Sequence, residues 1–257
     1  MKKSLLLAAP ALAIGAMALA MPGVASAADG SSYQAQLGAL NHSSGSGSFM
    51  LQLNGSQATI TEHVSGLAAT FGGKPYPHVQ HIHIGAKGDC PTTAADTNND
   101  GVISTTEGAP SYGAIGTTLS TSGDTSAAAG LTLTTAPSGA GFDYSRTISL
   151  DSKTLASVKA GTAVIVVHGL DPATLSTKAQ GEKSDLAPAL PLAATSPTLC
   201  GALTASQMSA MPGGAASTGG GATTGLQDQT LIGTGASLIT AGALAGALSY
   251  RRRTTNT

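Results

Sequence analysis

The chain has 257 residues, of which 10% are charged and 3% are aromatic, and 34 of them are glycine. Between residues 28 and 227 there are seven basic and twelve acidic side chains, which gives this stretch a net charge of −5. A mildly acidic stretch without a basic cluster argues against nucleic acid as a partner of this part of the chain.

The first 27 residues have the three parts of a secretory signal peptide. Lys2 and Lys3 precede an apolar run that starts at Leu5, and the small-residue sequence ASA follows at 25–27. This order is typical of a leader that is cleaved after residue 27. We therefore expect the protein to be exported, and its two cysteines to meet an oxidising compartment.

Residues 28–203 are predicted to form one all-β domain of ordinary size. Short alternating runs rich in β-branched residues recur there between turn-forming residues. These runs are GSFMLQLNG (47–55), QATITEHVSGL (57–67), HVQHIHIG (78–85), GLTLTT (130–135), FDYSRTISLD (142–151) and AVIVVHGLD (163–171). Their number and spacing favour a β-sandwich or a Greek-key barrel. The segment TLASVKAG, at 154–161, is predicted to be a short helix or a turn.

Three of the six histidines lie within the segment HVQHIH at 78–83. His81 and His83 are two residues apart, so on a strand both side chains project from the same face. Ile82 and Ile84 then point the other way, into a core. Neighbouring imidazoles can hold copper or zinc, although a surface strand that happens to carry histidines has the same pattern.

The segment DTNNDGVISTTE, at 96–107, matches the calcium-loop pattern D-x-[DN]-x-[DN]-G-x5-E at every specified position. The ligands that this pattern predicts are Asp96, Asn98, Asp100, the Val102 carbonyl, Ser104 and the closing carboxylate of Glu107. The flanking segments CPTTAA and GAPSYG are not predicted to be helical, so we expect an isolated loop of weak affinity. An Asx-rich surface turn is the alternative interpretation.

The apolar run AVIVVH, at 163–168, is typical of a central strand and ends in His168. A histidine at this position is either a hydrogen-bonded structural residue or a third metal ligand brought in from a distant strand. The run by itself leaves both interpretations open.

The C-terminal part predicts a membrane tether. Residues 204–227 contain mainly Gly, Ser, Thr and Ala and are predicted to be a flexible stalk. A transmembrane helix is predicted over 228–250, because Leu231 to Tyr250 carries no charge and would be about 30 Å long. The basic tail 251–257 would stay in the cytoplasm and place the domain outside. The tail resembles the sorting tails of Gram-positive surface proteins but lacks LPxTG, so membrane anchoring is expected in preference to wall attachment.

Several segments together resemble the copper/zinc superoxide dismutases. HVQHIH is similar to their HGFHVH segment, GDC (88–90) to the following loop, VVHGLD (166–171) to their VVH strand end, and LCGAL (199–203) to their terminal strand. The similarity covers about 45–90 and 160–203 in the same order. It implies a Greek-key β-barrel or sandwich of that type, copper ligands at His81, His83 and His168, and a disulfide between Cys90 and Cys200. The export of a chain with only two cysteines agrees with that disulfide.

The chain also departs from that family. Residues 91–167 contain no histidine, so no zinc site is expected and the copper site lacks its fourth ligand. Pro197 stands where the resemblance implies an active-site arginine. Lys178 and Lys183 are the cations of loop 169–196 that could steer an anion. A chordin-like CHRD domain shares the HIH strand and is the alternative resemblance.

Two further histidines are candidates for the missing ligand. His78 is three residues before His81, which places it on the opposite face of a regular strand. His63 alternates with Ile60 and Val64, so it is expected to be exposed. Neither is therefore the expected ligand, and His78 is the better candidate of the two.

These observations predict an extracytoplasmic, surface-tethered protein that binds copper through three histidines and has a calcium loop in place of the zinc loop. The resemblance implies superoxide as the substrate. The alternative is a calcium-stabilised surface module of the CHRD kind without catalysis.

Overall fold

A computed structural model describes residues 30–206 of the chain. These residues form mainly antiparallel β-sheet, strongly curled into a half-barrel, with few helices. The prediction of an all-β domain is therefore confirmed. Residues 1–29 and 207–257, and with them the predicted leader, most of the stalk, the span and the tail, lie outside the described part. Within residues 30–206, no helix combines the length and the apolar character needed to cross a membrane.

The main sheet runs in the order β7-β6-β9-β10-β1-β2-β3-β8, and β11 also pairs with β1. Its strands are β1 (Ser31–Ala39), β2 (Ser46–Asn54), β3 (Gln57–Ser65), β6 (Gln80–Ile84), β7 (Ala114–Thr118), β8 (Gly141–Ser149), β9 (Val164–His168), β10 (Pro197–Ala202) and β11 (Thr204–Ala205). The short strands β4 (Thr70–Phe71) and β5 (Lys74–Pro75) form a separate pair. The α-helices are α1 (Thr105–Tyr112), α2 (Ser152–Ala160), α3 (Thr177–Gly181) and α4 (Leu192–Thr195).

Strands β1 to β3 form a meander with one face on the core. Buried and exposed residues alternate along each of them, as the period of two in the sequence predicts. Phe49, Leu51 and Ile60 are fully buried by this alternation. The same alternation buries a carboxyl group, because Glu62 shares the face of Ile60 and Val64.

Strands β6 and β9 pair antiparallel in the middle of the domain and are covered on both faces. Ile82, Ile165 and Val167 join the main apolar core on one face. The other face of β9 carries Val164 and Val166, which pack against Tyr112 of α1. Residues in register with them on β6 are therefore covered by α1 and its neighbouring loops and not by the main core.

The segment 130–135 is not a strand, contrary to the prediction from GLTLTT. It contains a 3-10 helix, Leu133–Thr135, and Leu131 and Leu133 are 46% and 41% exposed. This segment is not paired with a neighbouring strand, so the alternation of apolar and polar residues alone does not produce a β-ladder. The ambiguous segment 154–161 lies in helix α2, which Asp151 caps at its start and Gly161 ends in a left-handed conformation with φ 68°.

The predicted disulfide is present. Cys90, in the loop after β6, is bonded to Cys200 in β10, with the two Cα atoms 5.8 Å apart. At the C-terminal end, β11 and the bond from the Ser206 N–H to the Ser32 carbonyl extend the sheet beyond residue 203. Residues 204–206 therefore belong to the domain, although their composition predicts the beginning of the stalk.

Candidate metal centre

Three histidines from the two central strands meet on one face of the sheet. His81 lies opposite Val166 and His83 opposite Val164, and His168 is two residues beyond Val166. Since residues of equal parity share a face, all three rings project to the same side. One ring nitrogen from each histidine lies within 4.8 Å of the others. The structure thus brings together the three residues that the sequence analysis assigns to copper, and the group could hold a metal ion.

One nitrogen of each ring is hydrogen-bonded to a backbone carbonyl. His83 Nδ1 donates to Gly113 at 2.9 Å, His168 Nδ1 to Thr195 at 2.6 Å, and His81 Nε2 to Gly130 at 3.0 Å. Because a carbonyl oxygen only accepts, the bonded nitrogen carries the proton. The other nitrogen, Nδ1 of His81 and Nε2 of His83 and His168, has no hydrogen-bond partner among residues 30–206. It presents a lone pair, which is the arrangement of metal-ligating histidines.

Burial keeps the three imidazoles neutral. Desolvation, and then the proximity of His168, lowers the pKa of His83 to about 3. Desolvation also lowers the pKa of His168 to about 4, and it holds the pKa of His81 well below its usual value. At neutral pH all three residues are therefore in the form that binds metal.

The histidines line a cavity of about 270 Å³. Its other walls are mainly apolar and include Val79 and Ile115. Leu131 and Leu186 also line it, yet they are 46% and 51% exposed, so they lie where the cavity opens to solvent. The cavity that the histidines line is therefore open on the side of these two leucines.

The other candidate ligands lie outside this group. Both ring nitrogens of His78 are 3.0 Å from carbonyl oxygens, those of His168 and Ala68, so neither is free. His63 is on the exposed face of β3, where Nδ1 is 2.7 Å from an Asp143 carboxyl oxygen.

The cations considered for steering do not line the cavity. Lys178 Nζ donates to the Asn98 carbonyl in loop 96–107, and within the described residues the cavity lining contains no lysine or arginine. Pro197 pairs with His168 across β10 and β9, so the position beside His168 is occupied by an apolar ring.

Loop 96–107 is folded around its own acidic and amide side chains. Asp96 accepts from the backbone N–H groups of Asp100 and Gly101, and Asn98 accepts from Asp100. One oxygen of Glu107 accepts from the Thr97 N–H and hydroxyl at the other end of the loop. The carboxylates do not form a three-residue metal group within residues 30–206. A calcium loop, however, also uses amide and backbone oxygens.

The surroundings of this loop differ from the prediction, since a helix follows it directly. Helix α1 begins at Thr105, with Ser104 as its N-cap and Glu107 completing a capping box. A 3-10 helix, Thr93–Ala95, precedes the loop. The segment GAPSYG (108–113), which is not predicted to be helical, supplies the last five residues of α1 although it contains Gly108 and Pro110. The capping box stabilises the helix despite them, and the signal S-x-x-E is visible in the sequence at 104–107.

Several supporting groups could not be identified from the sequence. The carbonyls that orient the histidines belong to residues 113, 130 and 195, which are 27 to 49 residues away from their partners along the chain. A backbone carbonyl carries no sequence signature. Glu62, in contrast, could be identified from the sequence, because it lies two residues from both Ile60 and Val64 and therefore on the same, buried face of the strand.

Comparison with known proteins adds no relative from which the role of these residues could be transferred. No protein-family model, no curated protein and no solved structure matches the chain.

Proposed function

We propose that this domain is an exported copper protein of the superoxide dismutase kind, with His81, His83 and His168 as the ligands. The observation that carries the proposal is the set of three buried, neutral imidazoles that line one cavity, offer nitrogens within 4.8 Å of one another and each have one unpartnered nitrogen. Imidazole nitrogen suits copper and zinc, and the similarity of the HIH and VVH segments to the dismutases favours copper.

The residues present fit this ion. Three carbonyl-anchored rings hold the ligands in fixed orientations, and burial excludes the protonated form that could not bind. Copper bound there would supply a centre that accepts and returns one electron, which is the chemistry that superoxide dismutation requires. The cavity beyond the histidines would admit a small substrate, and its apolar walls would limit the water around it.

Replacing His83 by alanine tests the copper site. The His83→Ala variant is expected to bind copper at least about 100-fold more weakly than the parent, because it loses one of three ligands. Copper affinity is measured by competition with a chelator of known affinity, and stoichiometry by elemental analysis of the whole chain.

His63→Ala is the matched control, since it removes an exposed histidine outside the group and should bind copper as the parent does. Equal stoichiometry and affinity in the parent and His83→Ala would show that the three-histidine site is not a copper site.

A second candidate, the non-catalytic surface module, is favoured by the charge around the cavity. Among the described lining residues there is no cationic side chain to attract an anion, and Pro197 occupies the position of the implied arginine. Superoxide consumption by the copper-loaded parent, compared with free copper and with His83→Ala, separates the two candidates. A rate no higher than that of His83→Ala would leave the non-catalytic module.

We further propose that loop 96–107 binds calcium and stabilises the domain. Side-chain oxygens of Asp96, Asn98 and Asp100, which the motif uses as ligands, accept from N–H groups of the loop itself and so lie on its inner side. Desolvation and then the Asp100 carboxylate raise the pKa of Glu182, a residue of loop 169–196, so negative charge is concentrated here. A bound divalent cation would neutralise that charge.

Calcium is expected to raise the melting temperature. At a concentration one hundred times the dissociation constant the gain is about 2.7 kcal/mol, or about 5–10 °C for a domain of this size. Glu107→Gln should abolish the gain, because it removes the closing carboxylate while glutamine can still cap α1. Calorimetry in calcium, in magnesium and after chelation measures the effect. An identical melting temperature in calcium and chelator would contradict a calcium site.

For the cellular location, we propose that the domain is displayed outside the cell on a membrane tether. This proposal is supported by the leader pattern in residues 1–27 and by the uncharged stretch before the three arginines at 251–253. The disulfide within the domain agrees with an oxidising location.

A further inference from the structure

Helix α1 connects the two proposed sites physically. It begins at the end of loop 96–107, and Glu107 of its first turn bonds both to Ser104 at its N-cap and to Thr97 across the loop. The position of the first turn is therefore tied to the conformation of the loop. Both ends of this helix also contact the carbonyls or rings of the histidine centre.

At its start, α1 shares a hydrogen-bond acceptor with His168. The Thr105 hydroxyl donates to the Thr195 carbonyl, and the same oxygen accepts from His168 Nδ1. Thr105, Thr195 and His168 are all buried, so water cannot replace these bonds easily. The Thr105 hydroxyl thus helps to hold the oxygen that orients one metal ligand.

At its end, α1 holds a second ligand. The Gly113 carbonyl accepts from His83 Nδ1, and the Tyr112 ring packs edge-on against His83 with centroids 4.6 Å apart. Gly113 has φ 91°, and a Cβ there would collide with the Ile84 carbonyl oxygen, so the connection requires glycine. The Tyr112 hydroxyl donates back to the Thr105 carbonyl at 3.0 Å and joins the two ends of the helix.

We propose that α1 couples loop 96–107 to the three-histidine centre, with Thr105 as a positioning residue that orients His168 through the Thr195 carbonyl. This inference rests on the proposed copper and calcium sites and assigns a regulation to them. A cation that orders the loop orders the first turn of α1, and with it the acceptors for two of the three ligands. Calcium therefore raises copper affinity, and by linkage copper raises calcium affinity by the same factor.

The test compares copper binding by the whole chain with and without calcium. Calcium is first removed by chelation and gel filtration, and copper(II) is then titrated against a competing ligand in zero or millimolar calcium. We expect calcium to increase copper affinity by about 5-fold or more in the parent. Thr105→Val should lower copper affinity by about 10-fold, reduce the calcium effect and change the copper(II) absorption and electron paramagnetic resonance spectra.

Two variants control for structural damage. Thr106→Val makes the same change on the next, exposed residue of α1 and should behave as the parent. Thr105→Ser retains the hydroxyl and should restore the parent spectrum. Equal copper affinity with and without calcium in the parent overturns the coupling, and a parent-like spectrum of Thr105→Val overturns the role of Thr105, while copper binding itself stands. Absence of copper binding in the parent overturns the proposed function and the inference with it.

Discussion

Removal of the disulfide between Cys90 and Cys200 is expected to lower the free energy of unfolding by nearly 5 kcal/mol. The two residues are 110 positions apart, and closing a loop of that length removes a large part of the chain entropy of the unfolded state. The bond also joins the loop after β6 to β10, which is hydrogen-bonded to β9. Loss of the bond therefore increases the freedom of the unfolded chain and also removes a constraint on the strands that carry the histidines.

The experiment is chemical denaturation of the parent, the reduced parent and the Cys90→Ala/Cys200→Ala variant. Reduction leaves both sulfur atoms in place, so agreement between the reduced parent and the variant assigns the loss to the cross-link and not to the missing side chains. A variant as stable as the oxidised parent would show that the loop is already constrained in the unfolded state.

Glu62 is expected to make the domain less stable as the pH rises. Its side chain is 4% exposed, and neither carboxyl oxygen has a hydrogen-bond partner among the described residues. Burial raises the pKa of Glu62 to about 8, and the Gln80 side chain opposes this only in part. The folded state therefore keeps a proton on Glu62 that the unfolded state releases near pH 4.5. The contribution of Glu62 to the free energy of unfolding is highest below pH 4.5, where both states are protonated, and it falls progressively up to about pH 8.

The Glu62→Gln variant removes this titration. The free energy of unfolding of the variant minus that of the parent should increase by about 1.4 kcal/mol per pH unit across this range, or by about 5 kcal/mol in all. Titrations common to both proteins, including those of the histidines, cancel in the difference. Asp143→Asn removes an exposed carboxylate from β8 and controls for net charge. Parallel pH profiles of the parent and Glu62→Gln would contradict a protonated Glu62.

Much of the fold could be predicted because it depends on local patterns. Alternation places Phe49, Leu51 and Ile60 in the core, and the spacing of His81 and His83 places their rings on one face. These inferences succeed because the side-chain period of a strand is a property of the backbone itself. The same rule fails at 130–135, where the alternating residues have no strand beside them, and hydrogen bonding to a neighbour is what makes a strand.

The candidate metal centre also combines features that the sequence predicts with features that only the fold provides. The sequence by itself determined the types of the candidate ligands, the shared face of His81 and His83, the loop motif at 96–107 and, through resemblance, the pairing of Cys90 with Cys200. The structure confirms that His168 joins the other two histidines, as the resemblance implies, and it alone decided which nitrogen of each ring is free and that α1 lies between loop 96–107 and the three histidines. Those features depend on backbone carbonyls brought from distant parts of the chain, and a carbonyl is common to every residue, so its role follows from position and not from residue type.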